Sequence, residues 1–337
     1  MSIIVNPFVG NGFTLAEMTE AIQILPNTYG RINQLGLFPA EGIGQRSVII
    51  ESMEGELRLL PSVAPGGPAT VGSSDMRKLR SFTVPHIPHN DVLLPEEIQS
   101  RRGFGSQTED PMVTIMMRKL QKMRNKHGQT LEYMRAKALA GITKDGAGNT
   151  VYSWFAEFGI QQKTIDFSFG KEDGTVALKC LELSRYIEVS LKGEQMTRIH
   201  ALVSPEFFDR LVTHKSMKEA YQFQQGLNPM RDDVRREFRH CGIVFEEYAG
   251  TVTLANGVTD RLIAANEGVA FPLGTLDTFR TYHAPGNFMD CLGTLGQEVY
   301  ARQLIRPDGT GVDILTESNP LPIVKRPALI VRLHSSN

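Results

Sequence analysis

A few places in the sequence bring side chains of reactive type close together. His86 and His89 flank Pro88 in an extended stretch. Two imidazoles could share a metal ion, but zinc takes three or four converging ligands and no third stands at a suitable spacing. Cys241 follows His240, and Cys180 is the other thiol of interest as a nucleophile. Adjacent residues seldom aim at one another, and a buried thiol keeps its proton. The carboxylate pairs Glu96-Glu97 and Glu246-Glu247 suffer the same geometry and make poor acid–base partners. Glu96-Glu97 follows Pro95 and suits the first turn of a helix, where negative charge is favoured. The chain contains no G-x-S-x-G, P-loop, H-E-x-x-H or G-x-G-x-x-G. The glycine pairs Gly42-Ile43-Gly44 and Gly103-Phe104-Gly105 read as turns. These residues assign no catalytic group, metal or cofactor.

The remaining chemical feature is a basic run: Arg118, Lys119, Lys122, Arg124 and Lys126. It reads either as a solvated helix face or as a weak, sequence-independent contact to nucleic acid phosphates. Over the whole chain 36 Lys and Arg balance 37 Asp and Glu, a formal net charge of −1. Charge-driven capture of nucleic acid needs a clear basic excess, so any such contact must be local.

The elements that position these residues follow from periodicity. At 337 residues, 41% hydrophobic and 22% charged, the chain can build a substantial core or two lobes. Three dispersed cysteines fit a reducing compartment with mostly buried thiols. The N-terminal residues show no signal-peptide pattern, and no apolar run nears the ~18 residues of a membrane span. Residues 1–13 read as a short extended segment. Thr14-Leu15-Ala16-Glu17 has capping-box spacing ahead of a helix ending at Pro26-Asn27. Strands are expected at 46–51, 56–60 and 80–88, with a Pro/Gly/Ser-rich tip at 61–74. The prolines in 80–88 mark an edge strand. Too apolar-poor to fold alone, the 40–90 stretch reads as an arm that packs on a neighbouring molecule.

Asp110-Pro111 opens the most regular segment. Met112, Met116, Leu120, Met123, His127, Leu131, Met134 and Ala138 form one stripe of a helix over about 110–141, roughly 45 Å long. Gly128 lies inside it and makes it dependent on tertiary packing. Strands follow at 150–158 and 164–169, a helix at 176–187, a core strand at 197–203, and a helix from Ser204-Pro205-Glu206 toward Gly226. Asn256-Gly257 is a strong hairpin signal between 252–254 and 261–263. Strands and helices alternate without a βαβ rhythm, so the fold class is α+β.

One string is family-specific. Phe279-Arg280-Thr281-Tyr282-His283-Ala284-Pro285 is followed by Gly296, Tyr300-Ala301, Gly311, Ser318-Asn319-Pro320-Leu321-Pro322-Ile323 and Arg326-Pro327. With Ala64-Pro65, Phe82-Thr83-Val84-Pro85-His86-Ile87-Pro88, Pro95-Glu96-Glu97 before Arg101, Ser204-Pro205-Glu206-Phe207-Phe208, Phe245–Gly250 and Asn256-Gly257, the chain resembles the lambda-type major capsid proteins (capsid family E) of tailed double-stranded DNA phages.

That resemblance implies the Hong Kong-type fold of phage and herpesvirus shells. Its expected layout here is an N-terminal arm at 1–39, an E-loop at 40–90 and a peripheral domain at 91–197 carrying the spine helix. An axial domain at 198–300 and a return to the peripheral domain at 301–337 complete it. The implied function is a non-enzymatic shell subunit that forms hexamers and pentamers around packaged DNA. Scaffold, portal and decoration proteins are the implied partners, with assembly in the host cytoplasm and residence in the virion. Arg46, Arg58, Arg77, Lys78 and Arg80 become candidate E-loop contacts between subunits, and Arg118 to Lys126 a DNA-facing cluster. The tip at 64–74 contains no lysine, which disfavours covalent cross-linking there; Lys78 keeps that option open.

Overall fold

The computed structural model describes residues 14–25, 30–53, 77–99, 112–170, 175–215, 217–218 and 237–336. Chain order begins with α1 (Leu15–Ile24), α2 (Arg31–Gln34), β1 (Ala40–Gly42), β2 (Ser47–Met53), β3 (Arg77–Thr83), β4 (Ile87–Leu93), α3 (Pro95–Gln99) and α4 (Met112–Leu139). It continues through β5 (Ile142–Lys144), β6 (Thr150–Ser153), α5 (Trp154–Phe158), β7 (Lys163–Asp166), α6 (Thr175–Leu191), β8 (Arg198–Val203) and α7 (Pro205–Thr213). Short strands β9 (Phe238–His240), β10 (Ile243–Glu247), β11 (Thr251–Thr253) and β12 (Thr259–Arg261) lead to β13 (Glu267–Leu273) and β14 (Phe279–His283). The last four are β15 (Tyr300–Ile305), β16 (Val312–Ser318), β17 (Pro320–Val324) and β18 (Val331–His334). The expected strand at 56–60, the tip at 61–74 and the Asp110-Pro111 helix start lie outside the described residues.

Local chemistry accounts for the element starts. Thr14 caps α1 through a reciprocal box with Glu17. Ser204 caps α7, its hydroxyl accepting from the Phe207 amide with Pro205 at the first helical position. The 150–158 stretch departs from the strand expected there: it turns from β6 into α5 at Ser153. Trp154 is driven inward at that point, fully buried, its indole N–H donating to Thr143 Oγ1 at 2.9 Å.

Three packed layers follow. The first is a six-stranded sheet in the order β7-β18-β13-β8-β10-β9. Ile199, Ala201 and Val203 of β8 face α6 and α7, whereas Leu202 faces a second core shared with α4. Both faces are covered, which explains an uninterrupted apolar run where alternation was absent. The expected axial segment 198–300 supplies β8, β9, β10 and β13, but β7 precedes it and β18 follows it. The boundaries expected at 198 and 301 therefore do not divide the sheets. Ile165 of β7 and Val331 and Leu333 of β18 are buried on the α6 side, too apolar to leave that sheet.

The second layer is β15-β16-β4, packed on α1 and the first half of α4 through Met18, Ile22, Leu93, Met116, Leu120, Met123, Val312 and Ile314. Here β4 is an edge strand, as Pro88 requires. The third, β1-β14-β17, packs Phe279, Tyr282, Leu321 and Ile323 into the core that α4 shares with the six-stranded sheet. Its β14–β17 pair aligns Phe279 with Val324 and His283 with Pro320, so the first and last parts of the family-specific string are paired strands, while Tyr300-Ala301 opens β15 in the second sheet.

Helix α4 has 28 residues and spans about 42 Å. Its first half buries one stripe; from Glu132 to Ala136 every residue is buried. A helix buried all round must satisfy any polar group it carries there, and α4 carries two charged ones, Glu132 and Arg135.

Candidate assembly surface

The β2–β3 hairpin is a two-stranded sheet in which Val48 lies opposite Phe82 and Glu51 opposite Leu79. Side chains alternate between its faces. The inner face presents Val48, Ile50 and Phe82, all buried in the core shared with α4. Phe82 sits edge-on to Tyr152 and Trp154, with ring centroids 5.2 and 5.4 Å away. Tyr152 also fixes the strand end, accepting from the Thr83 amide at 2.8 Å. The outer face presents Ile49, 64% exposed, and Leu79, 65% exposed, as diagonal neighbours.

This corrects the expectation that all of 40–90 must be completed by another copy. β1 pairs with β14, β4 pairs with β16, and the hairpin base is held by the chain's own aromatic cluster. What the described part leaves uncovered is the apolar pair Ile49 and Leu79 on the hairpin's outer face, which Ser47, Ser81 and Thr83 share.

The basic residues expected at subunit contacts are dispersed. Arg46 is exposed just before β2, and its carbonyl accepts from Val84. Arg80 turns toward its own subunit, with its guanidinium 4.8 Å from the centre of the Phe158 ring. Arg77 and Lys78 occupy backbone positions opposite Met53 and Ser52. Arg58 lies outside the described residues.

The basic run on α4 divides in two. Arg118, Lys122 and Lys126 are exposed and spaced by four, hence on one helical stripe. Lys119 and Arg124 are buried instead. Lys119 Nζ pairs with Glu97 at 2.8 Å and Asp91 at 3.4 Å, and Arg124 pairs with Glu298 at 2.7 Å. A single five-residue basic face is therefore not formed, because a 100° step per residue turns two of the five inward.

The candidate reactive groups do not converge. His86 Nδ1 lies 2.8 Å from Asn319 Oδ1, whereas His89 Nε2 lies 3.0 Å from Lys126 Nζ. Cys180 is buried, and burial pushes its thiol up to about 12. Cys291 is buried too, so the thiols are mostly buried as expected, and Cys241, in a left-handed turn, is the exposed one. Glu96 and Glu97 do fall in the first turn of α3.

The sequence reading missed a buried polar seam joining α2, α4 and the six-stranded sheet. Glu132 accepts from the Ile32 amide at 2.7 Å, the Asn33 amide at 3.3 Å and Tyr248 Oη at 3.0 Å. Gly30, at φ +105°, lies so close that any β-carbon would strike the Glu132 carboxylate. Arg31 grips Glu246 with two hydrogen bonds, 2.5 and 3.1 Å, and His200 adds a third at 3.0 Å. Burial pushes the Glu246 carboxyl up, but its bonds to His200 and Arg31 outweigh this and hold it below the ordinary range. Arg135 donates to Asn33 Oδ1 and Thr281 Oγ1, and burial lowers its pKa. His127 bridges Ser318 and Thr316 and is depressed to about 3 by burial. The available signal was the run after Leu131, whose apolar residues cover more than one stripe and imply that the charges between them are buried.

The arrangement is thus a polar-seamed scaffold carrying an exposed apolar pair, Ile49 and Leu79, on its hairpin. Among the described residues, no group of three or more His, Cys, Asp or Glu could hold a metal ion. The same scaffold occurs in solved structures. A phage-related protein from Bordetella bronchiseptica RB50 superposes with a TM-score of 0.56 at 8% identity, covering 96% of this chain and 97% of that one. A protein assigned as a capsid protein of a prophage in Escherichia coli CFT073 gives 0.61 at 12% identity, covering 96% and 99%. The fold is the Hong Kong-type α+β fold of phage capsid proteins. Sequence relatives are nearer. The major capsid protein of Pseudomonas phage KPP10 is 30% identical over 347 aligned residues, 97% of this chain and 98% of that protein. The major capsid protein of Salmonella phage Felix O1 is 28% identical over 353, covering 95% of each. The sequence model of phage major capsid protein E matches residues 14–335, and the chain belongs to that family of tailed-phage major capsid proteins.

Proposed function

We propose that this chain builds its icosahedral head shell by laying the outer face of the β2–β3 hairpin on a neighbouring copy, as E-loop, within hexamers and pentamers. The observation that carries this reading is the exposed Ile49–Leu79 pair on a hairpin whose other face is anchored through Val48, Ile50 and Phe82. Two large apolar side chains left in water side by side on a two-stranded sheet are an unfavourable exposure, and a repeated heterologous contact that closes into a ring removes it. In this layout α4 with β4, β15 and β16 is the peripheral lobe, and the six-stranded sheet with α6 and α7 is the axial lobe.

The exposed stripe Arg118, Lys122 and Lys126 supports a weak contact to packaged double-stranded DNA, independent of sequence. Scaffold, portal and decoration proteins are the further partners of this reading, assembly takes place in the host cytoplasm, and the chain has no catalytic role. The test is sedimentation and negative-stain microscopy of the full chain, expressed with and without its scaffold. Closed shells, tubes or capsomers are expected; a monomer that persists at high concentration contradicts the reading.

A further inference from the structure

The loop between β14 and β15 exposes three large apolar side chains within seven residues: Met289 at 80%, Leu292 at 74% and Leu295 at 68%. Its backbone is fixed from several sides. Cys291 is buried, its amide donates to the Phe288 carbonyl at 3.0 Å, and the Thr294 amide donates to the Cys291 carbonyl at 3.2 Å. The Gly296 amide donates to the Ile43 carbonyl and the Gln297 amide to Tyr300 Oη, both at 2.9 Å. Gln23 Nε2 of α1 adds a 2.6 Å bond to Gln297 Oε1. Asp290, Thr294 and Gln297 line the groove between the loop and α1, whereas the three apolar side chains stand outside it, in water. The loop is a preordered apolar platform, which needs little ordering when it meets a partner.

Charge selects the partner. Residues 15–24 of α1 and 285–298 of the loop contain Glu17, Glu20, Asp290 and Glu298 and no Lys or Arg. Glu17 caps α1 and Glu298 pairs with Arg124. Glu20 and Asp290 are exposed, with Arg302 4.0 Å from Asp290. The hairpin segments 46–53 and 77–83 have the opposite sign, four basic residues against one acidic, around the exposed apolar pair Ile49 and Leu79. An apolar centre with a rim of one sign thus has its counterpart, with a rim of the other sign, on the same chain. Helix α6 also exposes Leu178, Leu181 and Val189, but there Lys179 and Arg185 balance Glu182 and Glu188, so it offers no such complement. All five side chains of the two patches are exposed in one subunit, and the inner face of the hairpin is packed into the core. The patches therefore do not meet within a copy.

We infer that the Met289, Leu292 and Leu295 platform of one copy receives the Ile49–Leu79 pair of the next, a heterologous contact repeated around each ring. This rests on the hairpin reading above and adds the surface on which the hairpin lands.

The test places Ile49→Cys and Leu295→Cys together in the full chain, with Cys241→Ser to remove the exposed native thiol. Assembled shells are treated with a short bis-maleimide, whose reach tolerates small shifts among the three platform residues. Every copy can link forward and back, so a denaturing gel should show a ladder from dimers up to closed pentamers and hexamers, and mass spectrometry should find peptides joined between positions 49 and 295. Shells without such links would put the landing surface elsewhere and overturn this inference while leaving the hairpin's role in assembly intact. Linked monomers would show the hairpin folded on its own loop, and a parent chain that forms no shells would remove its assembly role; either overturns both. A second variant, Leu292→Asp/Leu295→Asp with the native cysteines, decides the matter if the cysteine variant fails to assemble. It should melt like the parent while its shell yield falls severalfold, and shells at the parental yield would overturn the inference.

Discussion

Glu132 in α4 receives the backbone amide of Ile32 at 2.7 Å, a bond that spans 100 residues of sequence. The same carboxylate serves the Asn33 amide and Tyr248 Oη, so one side chain ties the N-terminal segment and the end of β10 to α4. Glu132→Ala strands these buried donors and should destabilise the subunit by about 3–5 kcal/mol, whereas Glu132→Gln retains one acceptor oxygen and should cost less. Urea unfolding of soluble subunits checks the order of the two. A Glu132→Ala midpoint equal to the parent's would show that the seam contributes nothing.

The hairpin should separate folding from assembly. Phe82→Ala empties the pocket formed with Tyr152 and Trp154 and should cost about 3–5 kcal/mol of subunit stability. Replacing residues 54–76 by a short glycine-rich turn leaves Val48, Ile50 and Phe82 in place, so the subunit should stay folded. This cut is preferable to one from Glu51 to Arg80, which would remove half of β3 and the Arg80–Phe158 contact. Circular dichroism with analytical ultracentrifugation distinguishes the two effects. Unfolding of the 54–76 variant would mean that residues 54–76 are needed for the subunit's own fold.

Acid sensitivity should come from buried imidazoles. Burial lowers His127 to about 3 and His283 to about 4, and His283 also faces Glu298, Arg135 and Arg124. Below the ordinary value near 6.5 the unfolded chain takes up protons that the folded chain refuses. Stability is therefore full above pH 6.5 and is lost as pH falls toward 4, by an amount on the order of 3 kcal/mol per group at most. Glu246 is held low and loses its contribution only below about 4.5, its unfolded value, so the window from 6.5 to 4.5 isolates the histidines. Neither His283 ring nitrogen has a hydrogen-bond partner among the described residues, which makes His283→Leu a usable substitution. Thermal melts across this window should show a shallower pH dependence in that variant; an unchanged slope would remove His283 from the account.

The two halves of the basic run should behave differently. Lys119 and Arg124 are buried in ion pairs, and replacing either by Ala leaves its carboxylate partner uncompensated and should lower the melting temperature. Replacing Arg118, Lys122 and Lys126 together should leave melting nearly unchanged. It should also reduce the log–log salt slope of duplex DNA binding by up to about 3. Equal effects of both sets on DNA binding would argue against an exposed-stripe contact.

Periodicity made the α4 stripe, the α1 and α7 caps, the Asn256-Gly257 hairpin and the Pro88 edge strand readable, because each depends on neighbours a few residues apart. The family string was readable for a different reason, its residue identities and order; that its parts 279–283 and 320–324 pair as β14 and β17 was not. Long-range partners were not readable. Nothing local indicates that β7 and β18 join the β8 sheet, or that Lys119 turns toward Glu97 while Lys122 faces water. Glu132 and Arg135 were missed because charge in a helix usually marks its wet side, and here tertiary contacts bury it. The hairpin was read as a wholly unsupported arm because its anchors, Trp154 and Tyr152, are some seventy residues away.

The central claim rests on the Ile49–Leu79 face, and the most direct measurement is sedimentation velocity of the Ile49→Asp/Leu79→Asp double variant beside the parent chain. Both side chains are largely in water in the subunit, so the variant should melt like the parent yet sediment as small species while the parent forms shells or capsomers. Shells formed by the variant as readily as by the parent would contradict the account.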